Sequence, residues 1–318
     1  MLKKSTILAV ILVLIAILAT SCGSETKMNN AGNNQDAGQV SNNDEFVGVN
    51  LYVYVDENGL YGYKDENGKV KIKAQYVWAS EFGSDGCASA QVGNFMGLID
   101  RTGKFIVDPI YDAVSEFNEY GVAFTMLNEK YGLVSRDKVI IEPKYDWAGD
   151  FEEQGYAEVE LNDCWGIINA TGEIIAPIYQ RIQFVEEING FGIMRNGKLG
   201  FSDLNGNIIT EPILDEIGNS PIPGNFFEAY IDGKTGFINS KGEIVVYPKY
   251  DYVYPYNENG YAKVELDGKF GYVKGITEIV PPVYDYVEIR EDVEQIWVEL
   301  DGKTAILDMN GSIIEDFN

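Results

Sequence analysis

The sequence predicts an all-β repeat protein of about eight four-stranded units, closed into a β-propeller or, as the alternative, left as an open β-solenoid of stacked hairpins. Three observations predict it. A glycine preceded by a mostly aromatic or apolar residue recurs at Tyr61-Gly62, Met96-Gly97, Tyr131-Gly132, Trp165-Gly166, Leu199-Gly200, Thr235-Gly236 and Phe270-Gly271, with Thr304-Ala305 as a decayed last copy. The intervals are 35, 35, 34, 34, 36, 35 and 34 residues, and a fixed period of that length marks a repeat architecture. Short segments alternate apolar and polar residues, whereas no long window carries the 3.6-residue apolar spacing of a helix.

The fourth copy shows the elements in order. Tyr156 to Leu161 alternates and reads as a half-buried strand. Asn162-Asp163 makes a tight turn, because Asn and Asp tolerate positive φ. Trp165 to Asn169 is a second strand, Thr171-Gly172 turns again, and Glu173 to Ala176 is a third. Pro177, lacking an N–H, ends that ladder. Ile182 to Val185 is assigned as the fourth strand. Phe46 to Val49, ahead of the first copy, is expected to supply the strand that the last copy lacks and so close a ring.

A second anchor keeps the same phase. Tyr76, Tyr111, Tyr145, Tyr179, Leu214, Tyr250 and Tyr284 follow each glycine by 13 or 14 residues. Six of them stand two residues after a proline (Pro109, Pro143, Pro177, Pro212, Pro248 and Pro282). Five precede an aspartate (Asp112, Asp146, Asp215, Asp251 and Asp285). The glycine is expected to admit a neighbouring strand or ring. The tyrosine is expected to pack between units with its hydroxyl on a backbone group.

Segments such as Asp163-Cys164-Trp165-Gly166-Ile167-Ile168-Asn169, Gly233-Lys234-Thr235-Gly236-Phe237-Ile238-Asn239 and Gly268-Lys269-Phe270-Gly271-Tyr272-Val273 resemble the WG (KWG) repeat family. The resemblance covers residues 50 to 316, although one copy alone keeps the Trp-Gly pair. It implies a repeat class and no particular activity.

Residues 1–21 read as a signal peptide: Lys3 and Lys4, then an apolar run from Ile7 to Ala19 that is too short to span a bilayer. Ala19-Thr20-Ser21-Cys22 resembles the lipobox of bacterial lipoproteins, with Ala19 where that family prefers Leu. The resemblance implies cleavage before Cys22, lipidation of Cys22 and an extracytoplasmic, lipid-anchored location. Residues 22–45, rich in Asn, Gly and Ser, form a tether too polar to offset its ordering entropy. Residues 46–318 form the repeat domain. Cys87 and Cys164 occupy different phases of the repeat and are expected as buried free thiols.

The net charge of −26 argues against nucleic acid and against electrostatic docking on anionic lipid. The chain has no histidine, which removes Ser-His triads, Cys-His dyads and histidine-bearing zinc sites. Asp-x-Asn-Gly clusters at Asp56, Asp65, Asp203 and Asp308 share the opening of a calcium loop, but the EF-hand Glu and flanking helices are missing, so they read as hairpin turns. No metal or other cofactor is expected.

One position varies on this uniform frame. Two residues after the tyrosine anchor stand Trp78, Ala113, Trp147, Arg181, Glu216, Tyr252 and Tyr286. Variable positions on a fixed scaffold carry recognition, and aromatic and Arg side chains suit contacts. Trp78, Trp147, Arg181, Tyr252 and Tyr286 are therefore the candidate binding residues. In the fifth copy Leu214 replaces the tyrosine, and the Pro-bearing stretch from Gly218 to Asn225 is expected to protrude as a loop in place of a strand. The expected function is a monomeric, non-enzymatic binding or scaffold module for a protein or an envelope glycan. The alternative is a carbohydrate-active hydrolase using paired carboxylates.

Overall fold

The computed structural model describes residues 50–218 and 220–317. Phe46 to Val49 lie outside the described residues. The chain divides into two compact units, one reaching Ile178 and the other beginning at Tyr179.

The first unit opens with a three-stranded antiparallel sheet of Leu51–Val55, Tyr61–Asp65 and Val70–Tyr76. Three four-stranded sheets follow, and each opens with a two-residue strand: Trp78–Ala79, Ala113–Val114 and Trp147–Ala148. The second sheet continues with Ala88–Val92, Phe95–Ile99 and Phe105–Tyr111. The third continues with Val122–Leu127, Lys130–Ser135 and Val139–Tyr145. The fourth continues with Tyr156–Leu161, Cys164–Asn169 and Gly172–Tyr179, the last ending at the unit boundary.

The second unit holds four more sheets on the same plan. The fifth and eighth open with five-residue strands, Arg181–Val185 and Tyr286–Arg290. Each is followed by a single 3-10 turn, Glu186–Ile188 or Glu291–Val293. The sixth and seventh open with Glu216–Ile217 and Tyr252–Val253. In every case the opening strand pairs with the strand after it, as in Arg181↔Met194 and Tyr252↔Glu265.

The fold is thus all-β, with eight repeated antiparallel sheets, but the unit boundary differs from the one read in the sequence. Ile182 to Val185 does not complete the sheet of Tyr156–Leu161; it lies in Arg181–Val185 and opens the next one. The chain leaves the fourth sheet after Tyr179, and Arg181–Val185 pairs with Gly190–Arg195 downstream, a pairing that alternation alone does not report.

The glycine anchor has a definite cause. In the second sheet Met96 faces Tyr111 and Leu98 faces Val107, so the last strand carries extra residues around Pro109. This is a β-bulge, where proline is tolerated because no ladder N–H is required. The bulge pushes backbone onto the glycine. A Cβ on Gly132 would lie 2.6 Å from the Ile141 carbonyl oxygen, and one on Gly166 would lie 2.6 Å from that of Ile175. Ala305 is tolerated in the last copy because the facing strand, Ile313–Glu315, ends where it meets Ile306.

Within each unit, core lies between consecutive sheets. Leu133, Ile141 and Tyr145 of the third sheet pack on Ala157, Val159 and Ile168 of the fourth, all buried. Such burial stabilises by about 25 cal/mol per Å² of apolar surface removed from water. The anchor tyrosines bridge the same gap. The Tyr76 hydroxyl donates to the Gly103 carbonyl at 3.1 Å, as expected for a backbone acceptor. Tyr145 and Tyr250 donate instead to side chains, the Glu173 and Glu278 carboxylates, each at 2.8 Å. Burial, reinforced by that carboxylate, pushes the Tyr145 phenol well above its ordinary range.

Candidate binding surface

The corner aspartates, whose role the sequence left blank, fasten one sheet to the next. Asp146 pairs with Lys130 of its own sheet and accepts from the Asn162 N–H, at 2.8 Å, in the hairpin turn of the following sheet. Asp215 does the same with Lys198 and the Asp232 N–H, and Asp251 with Lys234 and the Asp267 N–H. In each the lysine, then the backbone N–H, holds the carboxyl below its usual range. The turns that receive them are built for it: Asn162 and Asp163 sit at φ 53° and 62°, the positive-φ pair of a type I′ hairpin.

The Asp-x-Asn-Gly clusters are turns closed by their own backbone. Asp56 Oδ1 accepts from the N–H groups of Asn58 and Leu60 at 2.9 Å each, and Asp203 Oδ1 from those of Asn205 and Asn207 at 2.9 and 2.8 Å. The hydrogen bond from the Leu60 N–H leads in holding Asp56 below the usual carboxylate range. Asp56, Asp65, Asp146, Asp203, Asp215, Asp251 and Asp285 all lie below that range. They serve turns and corners.

The two cysteines of the domain part company. Cys87 is a buried free thiol. Burial pushes it up to about 11 against the pull of Arg136, whose Nη1 donates to Sγ at 3.0 Å. A thiol so protonated is a poor nucleophile at neutral pH. Cys164 is disulfide-bonded, which corrects the expectation of a second free thiol. Its partner sulfur lies outside the described residues, as does the expected lipidation site, Cys22.

The variable position is the first residue of each opening strand. The anchor two residues earlier is buried at Tyr76, Tyr145 and Tyr250, each 1% exposed, and half-buried at Tyr284. The Tyr-Asp corner then turns the chain outward. Trp78 is 41% exposed, Trp147 42%, and Tyr252 and Tyr286 53% each. Arg181 and Ala113 are half-buried and Glu216 is exposed. Within the first unit the Trp147 ring meets Trp165 edge-on at 5.6 Å. Trp147 faces Glu160, which faces Trp165, so an acid lies between two indoles on one sheet face.

In the second unit Tyr252 meets Tyr254 edge-on at 4.8 Å. Lys263 Nζ sits 4.3 Å from the centre of the Tyr254 ring. Tyr254 also lines a polar cleft of about 730 Å³ with Asn257, Tyr261, Lys263, Glu288 and Arg290. Arg290 there stacks on Trp297 at 4.0 Å. The cleft is not lined by Tyr252 or Tyr286, so these two candidates stand beside it. The sequence reading missed Tyr254, although alternation puts it on the same face as Tyr252. It also misread Gly218 to Asn225. The opening strand Glu216–Ile217 forms as usual, and residues 218–225 are the ordinary link to Phe226–Ile231, equal in length to residues 80–87 of the second sheet.

Sheets fastened corner to turn, with a row of interchangeable residues at their opening strands, define an all-β repeat scaffold. The chain belongs to the WG containing repeat family, whose pattern matches residues 61–94, 96–131, 137–163, 165–199, 200–234 and 236–270. No curated protein matches the chain. Among solved structures, a eukaryotic initiation factor is similar at 12% identity over 84% of each chain, with a TM-score of 0.29. Dihydro-heme d1 dehydrogenase NirN in complex with DHE matches at 12% identity over 84% of this chain and 72% of that one, with a TM-score of 0.27. The extracellular domain of a hybrid two-component system from B. thetaiotaomicron matches at 7% identity over 83% of this chain and 46% of that one, with a TM-score of 0.21.

Proposed function

We propose that this chain is a membrane-anchored, extracytoplasmic, monomeric binding or scaffold module that engages a protein or an envelope glycan without chemical turnover. The observation that carries the reading is the exposure of Trp78, Trp147, Tyr252 and Tyr286 at one repeat position, beside anchors that are buried in the first three of these copies and half-buried in the fourth. Large rings held in water by a rigid sheet suit stacking on sugars or on a partner's apolar groups. The repeat frame supplies position, and the variable residue supplies choice.

The test is binding of the purified chain to cell-wall glycans and to envelope proteins. Saturable capture of a defined ligand, weakened at least tenfold when all four aromatics are changed to Ala, supports the reading. Capture unaffected by the four changes rejects this surface. Release of glycan fragments rejects the non-enzymatic assignment in favour of carboxylate-based hydrolysis.

The anchor is proposed on the lipobox resemblance around Cys22. Among the described residues no helix is long and apolar enough to cross a membrane. Cys22→Ser is expected to move the chain from the membrane fraction to the soluble one. Intact-mass spectrometry adds a second check: the membrane-bound chain should carry the mass of a diacylglycerol at Cys22. A membrane-bound Cys22→Ser chain rejects the lipid anchor.

A further inference from the structure

The link after each opening strand usually carries a ring six residues beyond the anchor tyrosine: Phe82, Phe117, Phe151 and Tyr256. These rings fill the space between a sheet and the one before it. Phe82 lies 4.7 Å from Tyr63 of the preceding sheet, and Phe151 lies 5.6 Å from Phe124 of its own predecessor. Phe117 is buried among Leu98, Val107 and Tyr111. Tyr256 packs on Phe237 and Tyr250 and donates its hydroxyl to the Gly275 carbonyl at 2.7 Å.

The interface between the fifth and sixth sheets departs twice. Its anchor is Leu214, and the residue six further on is Ser220. Two rings are therefore missing from one interface. A cavity of about 170 Å³ lies there, walled by Leu199, Phe201, Ile217, Pro221, Phe227 and Ile238. Phe227 stands where four copies carry Ala88, Ala123, Ala157 and Ala262; it returns one ring from below and becomes a wall rather than a filling. The polar task of the missing tyrosine is already taken. Thr210 donates its hydroxyl to the Gly242 carbonyl at 2.7 Å, as Tyr76 does to Gly103. What remains vacant is apolar.

We propose that this cavity is a binding site for a single uncharged, phenyl-sized aromatic ring. Its wall Phe201 follows the anchor glycine as Tyr63 does, and Tyr63 is the residue that meets the link ring Phe82 in the first interface. Its size suits the assignment, since an apolar cavity of about 150 Å³ lined by Leu, Ile and Phe stays dry and takes benzene. Exposed Glu187 and Asn225 at the lining mark the way in, and the carboxylate of Glu187 disfavours an anionic ligand.

The experiment uses the full chain and fluorobenzene as probe, followed by ¹⁹F line broadening. Saturable binding to the native chain is expected. Pro221→Phe puts a ring on the cavity wall and should abolish binding, whereas Ser220→Ala, off that wall, should bind as the native chain does. Nuclear Overhauser contacts from benzene protons to the methyl groups of Leu199, Ile217 and Ile238 locate the ring without any substitution. Absence of saturable binding, contacts to other methyl groups, or undiminished binding by a folded Pro221→Phe chain overturns the proposal.

Discussion

A single hydrogen decides the glycine anchor. At Gly132 and Gly166 a methyl group would meet a carbonyl oxygen of the bulged strand at 2.6 Å, well inside contact distance. Gly132→Ala and Gly166→Ala should each cost about 1–3 kcal/mol, the usual range for overpacking. Urea denaturation measures it. Ala305→Gly should bring no corresponding gain, because the facing strand ends at Glu315, opposite Ile306. The same scale explains what the sequence made legible. The period and the two anchors were plain because glycine and tyrosine each answer to a steric demand that recurs in every copy. The aspartate after the tyrosine was equally regular, yet its role stayed hidden. Its partners lie about 16 residues away in either direction, Lys130 and Asn162 for Asp146, and local pattern does not report such contacts.

At the scale of strands and links, the corner is a two-sided clamp. Asp251 gives one carboxylate oxygen to Lys234 and the other to the Asp267 N–H. Exposed ion pairs contribute little, whereas a hydrogen bond between a carboxylate and a backbone N–H orders a turn. Asp251→Ala should therefore lower the Tm more than Lys234→Ala does, as read by calorimetry; the reverse order would make the ion pair the dominant contact. The opening strands were the least legible elements. Two residues are too few to alternate, and pairing with the strand downstream is a tertiary fact. The candidate residues on them were nonetheless found, because Trp78, Trp147, Tyr252 and Tyr286 break an otherwise uniform pattern. Tyr254, Lys263 and Arg290 were missed because they come together only when the seventh and eighth sheets meet. The link from Gly218 to Asn225 was misjudged because its prolines suggested an insertion where there is only a change of composition.

Across the whole molecule, acid is the solvent variable to which these contacts are most exposed. Asp146, Asp215, Asp251 and Asp285 all have folded-state pKa values below the ordinary 3.8. A group depressed on folding stabilises the native state above its unfolded pKa and loses that contribution as pH falls through the folded value. Stability should thus hold from neutral pH to about 5 and then decline steeply as the pH drops below about 4. Tm measured against pH checks the sign. A Tm that rises through that interval would mean that relief of the repulsion behind the −26 net charge outweighs the clamps.

The two-sided corner also sets how such a chain can change length. Asp146, Asp215, Asp251 and Asp285 each look back to a lysine in their own copy and forward to a turn in the next, so these four junctions are made from the same two half-joints. A gene that gains or loses one complete period of this kind keeps these junctions matched, while a break inside a period strands a carboxylate or a turn. Copy number can therefore drift by whole periods at little cost to folding, and with it the number of exposed side chains offered to a partner.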